Sequence, residues 1–577
     1  MSTTAPTNSL TPESRQRATM VGAAAIVVLV LVVGCPSLFT RDLWNPDEPR
    51  YMEVAREMVV LGDYVVPHLN GAIYAEKPPM FFWLAGLLWR AGVSYQSGRV
   101  VTIAAVCGAL LLGFHLGKRW LGAQGAVLSM GAALSTFIML SFTKMGVLDP
   151  LLTLFIVASI VSGFGALHDS GRRAAALWAI CYAAMGLATL TKGPVGLLVP
   201  GLILLAYALM NRRQVRGGGK AHLLGLAVFT AIVLAWVVPA ALSGGPEYTR
   251  TILLKQNVGR AVRSYSHRNP AHYYLLRWPL YFFPWSLVLP FALVAAFRQW
   301  RRQGDRLPLL AALWFLVPLV FFSLISGKRI NYVVPAAPAV GLLVGWFLAR
   351  SSEDVRWLPR VEKWAMTAGL LFTAFIAATS MVGMFLMPAA VERAYPGEGL
   401  TARIAAAHTP LWLAASLVAL ALPLVLALRA AFLPGEMRTR RAVALIAAYV
   451  LLSVSSDLFI LPTANMFKSG RPFAAAVEQQ VREGDVLYVY GDAYSGVYNL
   501  YTGRVHMAVI EEPEELRQVL GRESALVICD LRRVRDVLGH DDQQRHVVAR
   551  KNVGHREMAL LRGGPAFAQI PVREGNG

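Results

Sequence analysis

The sequence is poor in charge and in cysteine, and each shortage excludes a class of protein. Asp, Glu, Lys and Arg make up 15% of the 577 residues, whereas 56% are hydrophobic, which excludes an ordinary soluble globular protein. The four cysteines are scattered along the chain, so neither a disulfide framework nor a zinc cluster is indicated. We find no internal repeat and no pattern typical of DNA or RNA binding, so we expect no nucleic-acid partner.

Long runs of apolar residues dominate the sequence. They recur between Met20 and Leu461, and each is long enough to cross a bilayer. The apolar stretch 80–89 is too short to cross and is followed by Arg90, so we expect a helix lying at the membrane interface. The chain is therefore predicted to be a polytopic α-helical membrane protein with about thirteen transmembrane helices. The predicted spans lie near 19–38, 98–117, 122–141, 147–167, 174–190, 193–210, 221–242, 273–297, 308–325, 332–349, 363–388, 409–430 and 440–461.

The formal net charge of +21 is explained by short basic loops on one side of the membrane. If the N-terminus is cytoplasmic, every basic loop also faces the cytoplasm, as the positive-inside rule requires. An odd number of spans then puts the C-terminus outside. We expect the first span to be retained rather than removed as a signal peptide. The basic loops are 118–119, 172–173, 211–220, 298–306, 350–363 and 429–441.

The remaining polar segments all fall on the external side in this topology. Five loops that carry carboxylates, lysines, arginines and histidines would meet there, which indicates an active site that faces outward. The segments are 41–77, 143–149, 191–194, 244–272 and 326–332.

After Leu461 the composition becomes mixed. Short apolar strands at 486–490 and 525–529 alternate with helices at 473–482 and 513–520, which predicts a small soluble α/β domain outside the membrane. The expected organisation is a cytoplasmic tail, a membrane part that includes a first external loop, and this external domain. Their predicted bounds are 1–18 for the tail, 19–462 for the membrane part with the loop at 39–97, and 463–577 for the α/β domain.

The densest knot of charge lies between residues 41 and 83. Asp47 and Glu48 stand between two prolines and could serve as a general base or bind an acceptor, although an acid here could also cap the following helix. Glu76 and Lys77 precede two further prolines. Lys77 suits a phosphate oxygen and Glu76 a divalent cation, whereas the alternative is an interfacial lysine beside a glutamate.

Other predicted external loops add candidate site residues, and each of them also has a simpler structural explanation. Asp149 at the start of a span must be paired or hydrated, or else it matches the helix dipole. Lys192 lies in an external turn and could be a simple interfacial anchor. Arg329 and Tyr332 form a third cationic turn with an aromatic hydroxyl. His267 could be a metal ligand or an acid–base group, although a lone histidine is more often only hydrogen-bonded.

The order of these motifs resembles that of the membrane-embedded GT-C glycosyltransferases. The similarity is closest to the bacterial branch that holds the lipid A aminoarabinose transferases and relatives of the protein mannosyltransferases. The segment 44–83 is especially similar to the aminoarabinose transferases. The motifs are Asp-Glu-x-x-Tyr at 47–51, Glu-Lys-Pro-Pro at 76–79, Leu-Asp-Pro at 148–150, Leu-Thr-Lys-Gly at 190–193 and Gly-Lys-Arg-x-x-Tyr at 327–332.

The resemblance implies a GT-C fold in the bacterial inner membrane and a sugar donor carried on a polyprenyl phosphate, such as undecaprenyl phosphate. The donor would be used on the periplasmic side, without a nucleotide and with inversion at the sugar. It offers 4-amino-4-deoxy-L-arabinose as a candidate sugar and lipid A or another envelope molecule as a candidate acceptor, and leaves both open. Alternatives are a protein O-mannosyltransferase-like enzyme, another envelope-glycan transferase, or a lipid flippase or transporter.

The same resemblance assigns roles to residues. Asp47 matches the essential acid of the first external loop, and Glu48 and Asp149 are further catalytic candidates. Lys77 matches the lysine at the lipid phosphate. Glu76 and His267 match a pair that binds a divalent metal such as zinc, magnesium or manganese. The remaining residues expected around the donor phosphate are Lys192, Arg260, Arg268, Arg329 and Tyr332.

Overall fold

The computed structural model confirms a multi-pass helical membrane protein with a C-terminal α/β domain. It describes residues 11–212, 215, 219–252, 269–349, 358–394, 408–434, 437–491, 496–538, 546–554 and 556–564. Ten helical stretches of this described part are long and apolar enough to cross a membrane, and two shorter apolar helices accompany them.

The helices of the membrane part follow one another with short connections. A two-stranded ribbon, β1 (His68–Leu69) and β2 (Ala72–Ile73), interrupts them in the segment between residues 61 and 80. The helices are α1 (Pro12–Gly34), α2 (Pro36–Thr40), α3 (Asp47–Leu61), α4 (Met80–Arg90), α5 (Ser97–Leu134), α6 (Phe137–Thr143), α7 (Leu148–Leu167), α8 (Gly171–Lys192), α9 (Val195–Met210), α10 (Gly219–Arg250), α11 (Tyr273–Tyr281), α12 (Leu289–Gln303), α13 (Arg306–Leu324), α14 (Ala337–Ala349), α15 (Leu358–Ala394), α16 (Pro410–Ala431), α17 (Arg438–Ser455) and α18 (Leu461–Lys468).

Ten long stretches are fewer than the thirteen predicted spans, and local backbone geometry explains the difference. The predicted spans 98–117 and 122–141 are joined in α5, which folds back on itself at Gly122, where φ is +68°. The two arms of α5 are antiparallel neighbours, because a side chain at Gly113 would meet Met130 and one at Gly117 would meet Ala126.

Two other predicted spans differ in length or continuity. The span at 193–210 is the short helix α9, of 16 residues. The span at 273–297 is broken into α11 and α12, with a 3₁₀ turn at Trp285–Leu287 between them. Three prolines in this region each remove a backbone donor, which explains the interruption. The predicted short helix at 80–89 is confirmed as α4, and its place at a membrane interface stays a prediction.

Close helix packing in the membrane part relies on small residues. Gly341 and Gly345 of α14 are four residues apart and face the second arm of α5. A methyl group at Gly341 would lie 2.2 Å from the carbonyl oxygen of Ser129 and 2.7 Å from Cβ of Ala133. This small-xxx-small spacing lets two helix backbones approach closely, which is how helices associate where no hydrophobic effect acts between them.

The C-terminal domain is a five-stranded mixed sheet with helices, in the order β4-β3-β5-β7-β6. Strand β3 pairs in parallel with β4 and with β5, in the part of the domain where strands and helices alternate. The β6–β7 hairpin pairs antiparallel with β5 through β7, and β6 forms the other edge of the sheet. The predicted strands and helices of this region are confirmed within a few residues. The elements are α19 (Arg471–Gln480), β3 (Val486–Tyr490), α20 (Val497–Thr502), β4 (Ala508–Ile510), α21 (Pro513–Leu520), β5 (Ala525–Asp530), α22 (Leu531–Leu538), β6 (Val547–Val553) and β7 (Arg556–Arg562).

We predict that Gly341→Ala lowers the thermal unfolding temperature of the detergent-solubilised protein. The added methyl group overpacks the α5–α14 contact, at a cost of about 1–3 kcal/mol. Gly383→Ala in α15 is the matched control, since a side chain at Gly383 would meet nothing within 4 Å. Equal unfolding temperatures for the two variants would contradict the close packing.

Candidate active site

Asp47 opens helix α3 and lies between two guanidinium groups. Arg50, one helical turn later, donates from Nη2 to Oδ1 of Asp47 at 2.8 Å, and Nη1 of Arg329 lies 4.0 Å from Oδ2. The other Arg50 nitrogen, Nη1, is 3.9 Å from Oε1 of Glu76. The Asp47 side chain remains 32% exposed, so a ligand can reach it. We call Asp47, Arg50, Glu76, Lys77 and Arg329 the α3 cluster.

Lys77 is the more enclosed member of the Glu76–Lys77 pair. Its side chain is 14% exposed against 40% for Glu76, and its Nζ lies 4.0 Å from Oε2 of Glu76. The same Nζ donates to the Glu76 carbonyl oxygen at 3.1 Å. The ammonium group is therefore held at the start of α4 and close to the Glu76 carboxylate.

A second group of predicted residues meets at the N-terminus of α7. Asp149 is buried, forms an ion pair with Lys192 and accepts a hydrogen bond from Nδ2 of Asn331 at 3.0 Å. The ammonium of Lys192 also lies over the ring of Tyr332, 4.9 Å from its centroid. These four residues form the Asp149 cluster, in which the acid near the membrane is paired, as its position requires.

The short segment that contains Arg329 and Asn331 joins the two clusters, because Arg329 reaches Asp47 and Asn331 reaches Asp149. The buried Tyr51 of α3 feels the charges of both clusters. Burial raises the pKa of its hydroxyl well above the ordinary value, and the negative charges of Asp47 and Asp149 both add to the rise. The structure therefore brings together seven of the eleven residues predicted for the site: Asp47, Glu76, Lys77, Asp149, Lys192, Arg329 and Tyr332.

Glu48, the other acid between the two prolines, is placed differently from Asp47. It is fully buried, and Arg99 donates to both of its oxygens, from Nε at 2.8 Å and from Nη2 at 3.1 Å. The backbone N–H groups of Trp44 and Gly146 donate to it at 3.0 and 2.8 Å. These contacts hold the carboxylate inside the protein, so we assign Glu48 a structural rather than a catalytic role.

The ionisation of Glu48 follows from these partners. Burial alone would raise the pKa of the carboxyl group. The charges of Arg99 and Arg41 and the hydrogen bonds outweigh burial and lower the pKa to about 2. Glu48 is therefore a permanent anion near neutral pH.

Three predicted site residues, Arg260, His267 and Arg268, lie outside the described residues. The proposed metal pair consequently has one described member, Glu76, which Arg50 and Lys77 flank. This pairing with an arginine is the alternative to metal binding at Glu76. Within the described ranges, no group of three or more His, Cys, Asp or Glu side chains could hold a metal ion. The metal site stays a prediction.

Three residues of the arrangement were not singled out from the sequence. Arg50 follows Asp47 by three positions, which is the spacing at which side chains on a helix meet. A helix predicted at this position would therefore have indicated the pair. Asn331 occupies one of the variable positions of the Gly-Lys-Arg-x-x-Tyr motif. Arg99 stands near the start of an apolar run, where nothing in the sequence connects it with Glu48.

Comparison with known proteins gives one family and one fold. Residues 76–238 match the dolichyl-phosphate-mannose-protein mannosyltransferase family. Two proteins from Pectobacterium, P. atrosepticum and P. carotovorum, each named undecaprenyl phosphate-alpha-4-amino-4-deoxy-L-arabinose arabinosyl transferase, are 30% identical over 66% of this chain and 68% of their own length. A Proteus mirabilis protein of the same name, numbered 2, is 32% identical over 57% of this chain and 59% of its own. The chain thus matches less than two thirds of the Proteus relative.

Solved structures with the same fold cover nearly the whole chain. The crystal structure of ArnT from Cupriavidus metallidurans bound to undecaprenyl phosphate has a TM-score of 0.70 at 22% identity, over 94% of this chain and 97% of that one. The archaeal oligosaccharyltransferase AglB from Archaeoglobus fulgidus has a TM-score of 0.51 at 12% identity, over 91% of this chain and 70% of that one. The C-terminal domain is therefore included in the similarity of fold to ArnT.

We predict that Glu48→Gln strongly destabilises the protein near neutral pH. Removing one partner of a buried ion pair costs about 3–5 kcal/mol, which thermal unfolding in detergent would detect. Because pairing with the two arginines outweighs burial and lowers the pKa from 4.5 to about 2, the contribution of Glu48 is present above pH 4.5 and is lost as the pH falls towards 2. The difference between wild type and variant should therefore shrink over that range.

Glu478→Gln provides the matched control for Glu48→Gln. Glu478 is 40% exposed and forms a surface ion pair with Arg504. Such pairs contribute about 0–1 kcal/mol, so its loss should be nearly silent. Equal effects of the two substitutions, or a Glu48→Gln effect that is independent of pH, would contradict the structural role.

Proposed function

We propose, because the chain belongs to the family of undecaprenyl phosphate-alpha-4-amino-4-deoxy-L-arabinose arabinosyl transferases, that it transfers this aminosugar from undecaprenyl phosphate to lipid A. The observation that carries the proposal is the α3 cluster, where the partly exposed carboxylate of Asp47 lies between Arg50 and Arg329. Scarce charges have been concentrated at one place in a largely apolar chain, which is the composition expected of a site for an anionic lipid donor.

The leaving group of the reaction is the lipid phosphate, and cations supply what its departure needs. When the bond between the sugar and the phosphate breaks, negative charge accumulates on the phosphate oxygens. Lys77 and Arg329 are candidates to stabilise that charge, and Arg260 and Arg268 remain further candidates. Preorganised cations in a site of low dielectric are effective because they need little rearrangement as the charge develops.

Asp47 has a role that depends on the acceptor. A hydroxyl acceptor must lose a proton, and Asp47 would be the general base. A lipid A phosphate is already an anion, and Asp47 would then keep Arg50 and Arg329 oriented while the acceptor approaches. Attack from the face opposite the leaving phosphate inverts the anomeric centre in either case.

The Asp149 cluster lies beside the same candidate site. Its carboxylate is buried, whereas that of Asp47 is partly exposed. Asp149 and Lys192 neutralise each other, and Asn331 ties the pair to the segment of Arg329. We propose that this cluster fixes the position of Arg329 and Tyr332 relative to α3. In the described part of the site Glu76 lies beside two cations, Arg50 and Lys77.

A second candidate function is transfer of a sugar to a protein or to another envelope glycan. The observation in its favour is the match of residues 76–238 to the protein mannosyltransferase family. A flippase or transporter is less consistent with the arrangement of charge. Transporters place their charged groups on broken helices near the membrane centre, whereas both clusters here lie at helix ends.

The central experiment measures transfer by the full-length protein in proteoliposomes that contain lipid A and undecaprenyl phosphate-linked 4-amino-4-deoxy-L-arabinose, with the product detected by mass spectrometry. We expect Asp47→Asn to reduce transfer by about 100-fold or more, as loss of a central catalytic group does. Asp169→Asn is the control, because Asp169 lies at the other end of α7 and pairs with Arg173. No modified lipid A from the wild type would overturn the proposed donor or acceptor, and a fully active Asp47→Asn variant would overturn the site.

We further predict that Lys77→Ala chiefly weakens use of the lipid-phosphate donor. Loss of a charged hydrogen bond costs about 1.5–3 kcal/mol, or roughly 10- to 150-fold in kcat/KM. The exposed Lys220→Ala is the control in the same assay. Unchanged donor kinetics in Lys77→Ala would remove Lys77 from the phosphate site.

The proposed topology puts the N-terminus in the cytoplasm and both the site and the C-terminal domain in the periplasm of the inner membrane. The basic loops on the opposite side are the reason. Alkaline phosphatase, which folds only in the periplasm, should be active when fused after Gly577 and inactive when fused in the 172–173 loop. The reverse pattern would contradict both the topology and the outward-facing site.

A further inference from the structure

The C-terminal domain contacts the first external loop through buried amide groups that the transfer chemistry does not use. The contact centres on Asn70, in the turn between β1 and β2, and on the segment 499–507 after β3. We call Glu57, Asn70, Asn499, His506 and Met507 the Asn70 lock. Glu57 and Asn499 have no exposed surface, and Asn70 is 8% exposed.

Asn70 satisfies its polar groups almost entirely across this contact. Its side-chain oxygen accepts from Nδ2 of Asn499 at 2.7 Å and from the backbone N–H of Met507 at 2.8 Å. Its side-chain NH₂ donates to the Met507 carbonyl at 2.8 Å, so one amide pairs with both groups of a peptide unit. Nδ1 of His506 lies 3.0 Å from the Asn70 carbonyl oxygen and can donate to it.

Helix α3 holds the other side of the same turn. Glu57 accepts the backbone N–H of Asn70 at 2.6 Å and that of Gly71 at 3.0 Å. Asn70 and Gly71 both have positive φ, +58° and +73°. Two such residues between paired strands form the tight hairpin turn for which Asn-Gly is preferred. The turn is therefore fixed between α3 and the C-terminal domain.

A second contact ties α3 to the same segment. Arg56 donates from Nη1 to the carbonyl of Gly503 at 3.3 Å and from Nη2 to that of Arg504 at 3.1 Å. Glu53 holds the guanidinium from the opposite side, at 2.7 and 2.6 Å. Arg56 thus ties the second half of α3 directly to the C-terminal domain.

Both ends of the α3 cluster depend on these elements. The first turn of α3 carries Asp47 and Arg50, and the chain that leaves β2 at Ile73 reaches Glu76 and Lys77 within four residues. We propose that the C-terminal domain positions the α3 cluster through the Asn70 lock, with Asn70 and Asn499 as positioning residues. The proposal rests on the proposed function in one respect, that the α3 cluster carries the transfer.

The test removes the side chain of Asn70 and leaves its backbone undisturbed. Asn70→Gly retains the left-handed conformation, which glycine adopts readily, and removes three of the hydrogen bonds across the contact. We expect kcat to fall about 10- to 100-fold with donor KM nearly unchanged, because a small displacement of catalytic groups has this effect. Asn499→Ala should give the same pattern, and Glu514→Gln, at an exposed position of α21 in the same domain, should not.

A reversible cross-link separates positioning from stability. A side chain at Gly71 would have its Cβ 3.6 Å from Cβ of His506, within the range that a disulfide spans. Gly71→Cys with His506→Cys in the Asn70→Gly background should recover kcat when oxidised and lose it again on reduction. The single-cysteine variants are the controls for the two substitutions. Oxidation that raises the unfolding temperature but leaves kcat low would overturn the proposal.

Hydrogen–deuterium exchange provides a readout that needs no substrate. In Asn70→Gly the backbone amides of 72–77 should exchange faster, while those of β5 and α14 stay unchanged. Uniformly faster exchange, or no change at 72–77, would contradict the positioning role. If the wild type transfers no aminoarabinose, the proposed function fails, and the exchange data still decide whether the C-terminal domain holds this segment.

Discussion

The buried carboxylate of Glu48 is the contact on which the end of the membrane part that carries the candidate site depends. A carboxylate without water is tolerated only when it is fully paired, and here Arg99 and two backbone N–H groups provide the partners. Arg99 also donates to the carbonyls of Ser37, Arg41 and Asp42. One ion pair thereby joins the end of the first span, the loop before α3, the start of α5 and the loop before α7.

The residues of α3 therefore have different roles on different faces of the helix. Glu48, Glu53 and Glu57 are buried and bind, respectively, the membrane helices, an arginine directed at the C-terminal domain, and the β1–β2 turn. Asp47 and Arg50 remain partly exposed and belong to the proposed site. The helix can present a precise set of charges to a ligand because its other charges are used to hold it in place.

Much of the candidate site could be assembled from motifs that lie far apart in the sequence. Asp149, Lys192 and Arg329 come from three different loops, and the structure brings them to the same region as Asp47. The choice between Asp47 and Glu48 could not be made in this way. Adjacent residues on a helix point about 100° apart, so the two acids face different surroundings, but which of them is buried depends on the partner. That partner, Arg99, follows Glu48 by 51 positions and stands beside an apolar run.

The limits on the fold prediction have a similar cause. Composition identifies apolar stretches but does not decide whether they continue as one helix. Gly122 folds α5 back on itself, and prolines divide the region 273–303 into separate helices, although both regions are apolar enough to cross. The contact between Asn70 and Met507 joins residues 437 positions apart, and no local pattern indicates it.

The central claim is that the α3 cluster receives the phosphate of the lipid donor, and an experimental structure of the full-length protein with undecaprenyl phosphate tests it most directly. The phosphate should lie within hydrogen-bonding distance of Lys77 and Arg329, with Asp47 open towards the sugar position. A phosphate held at another place, out of reach of both cations, would contradict the claim.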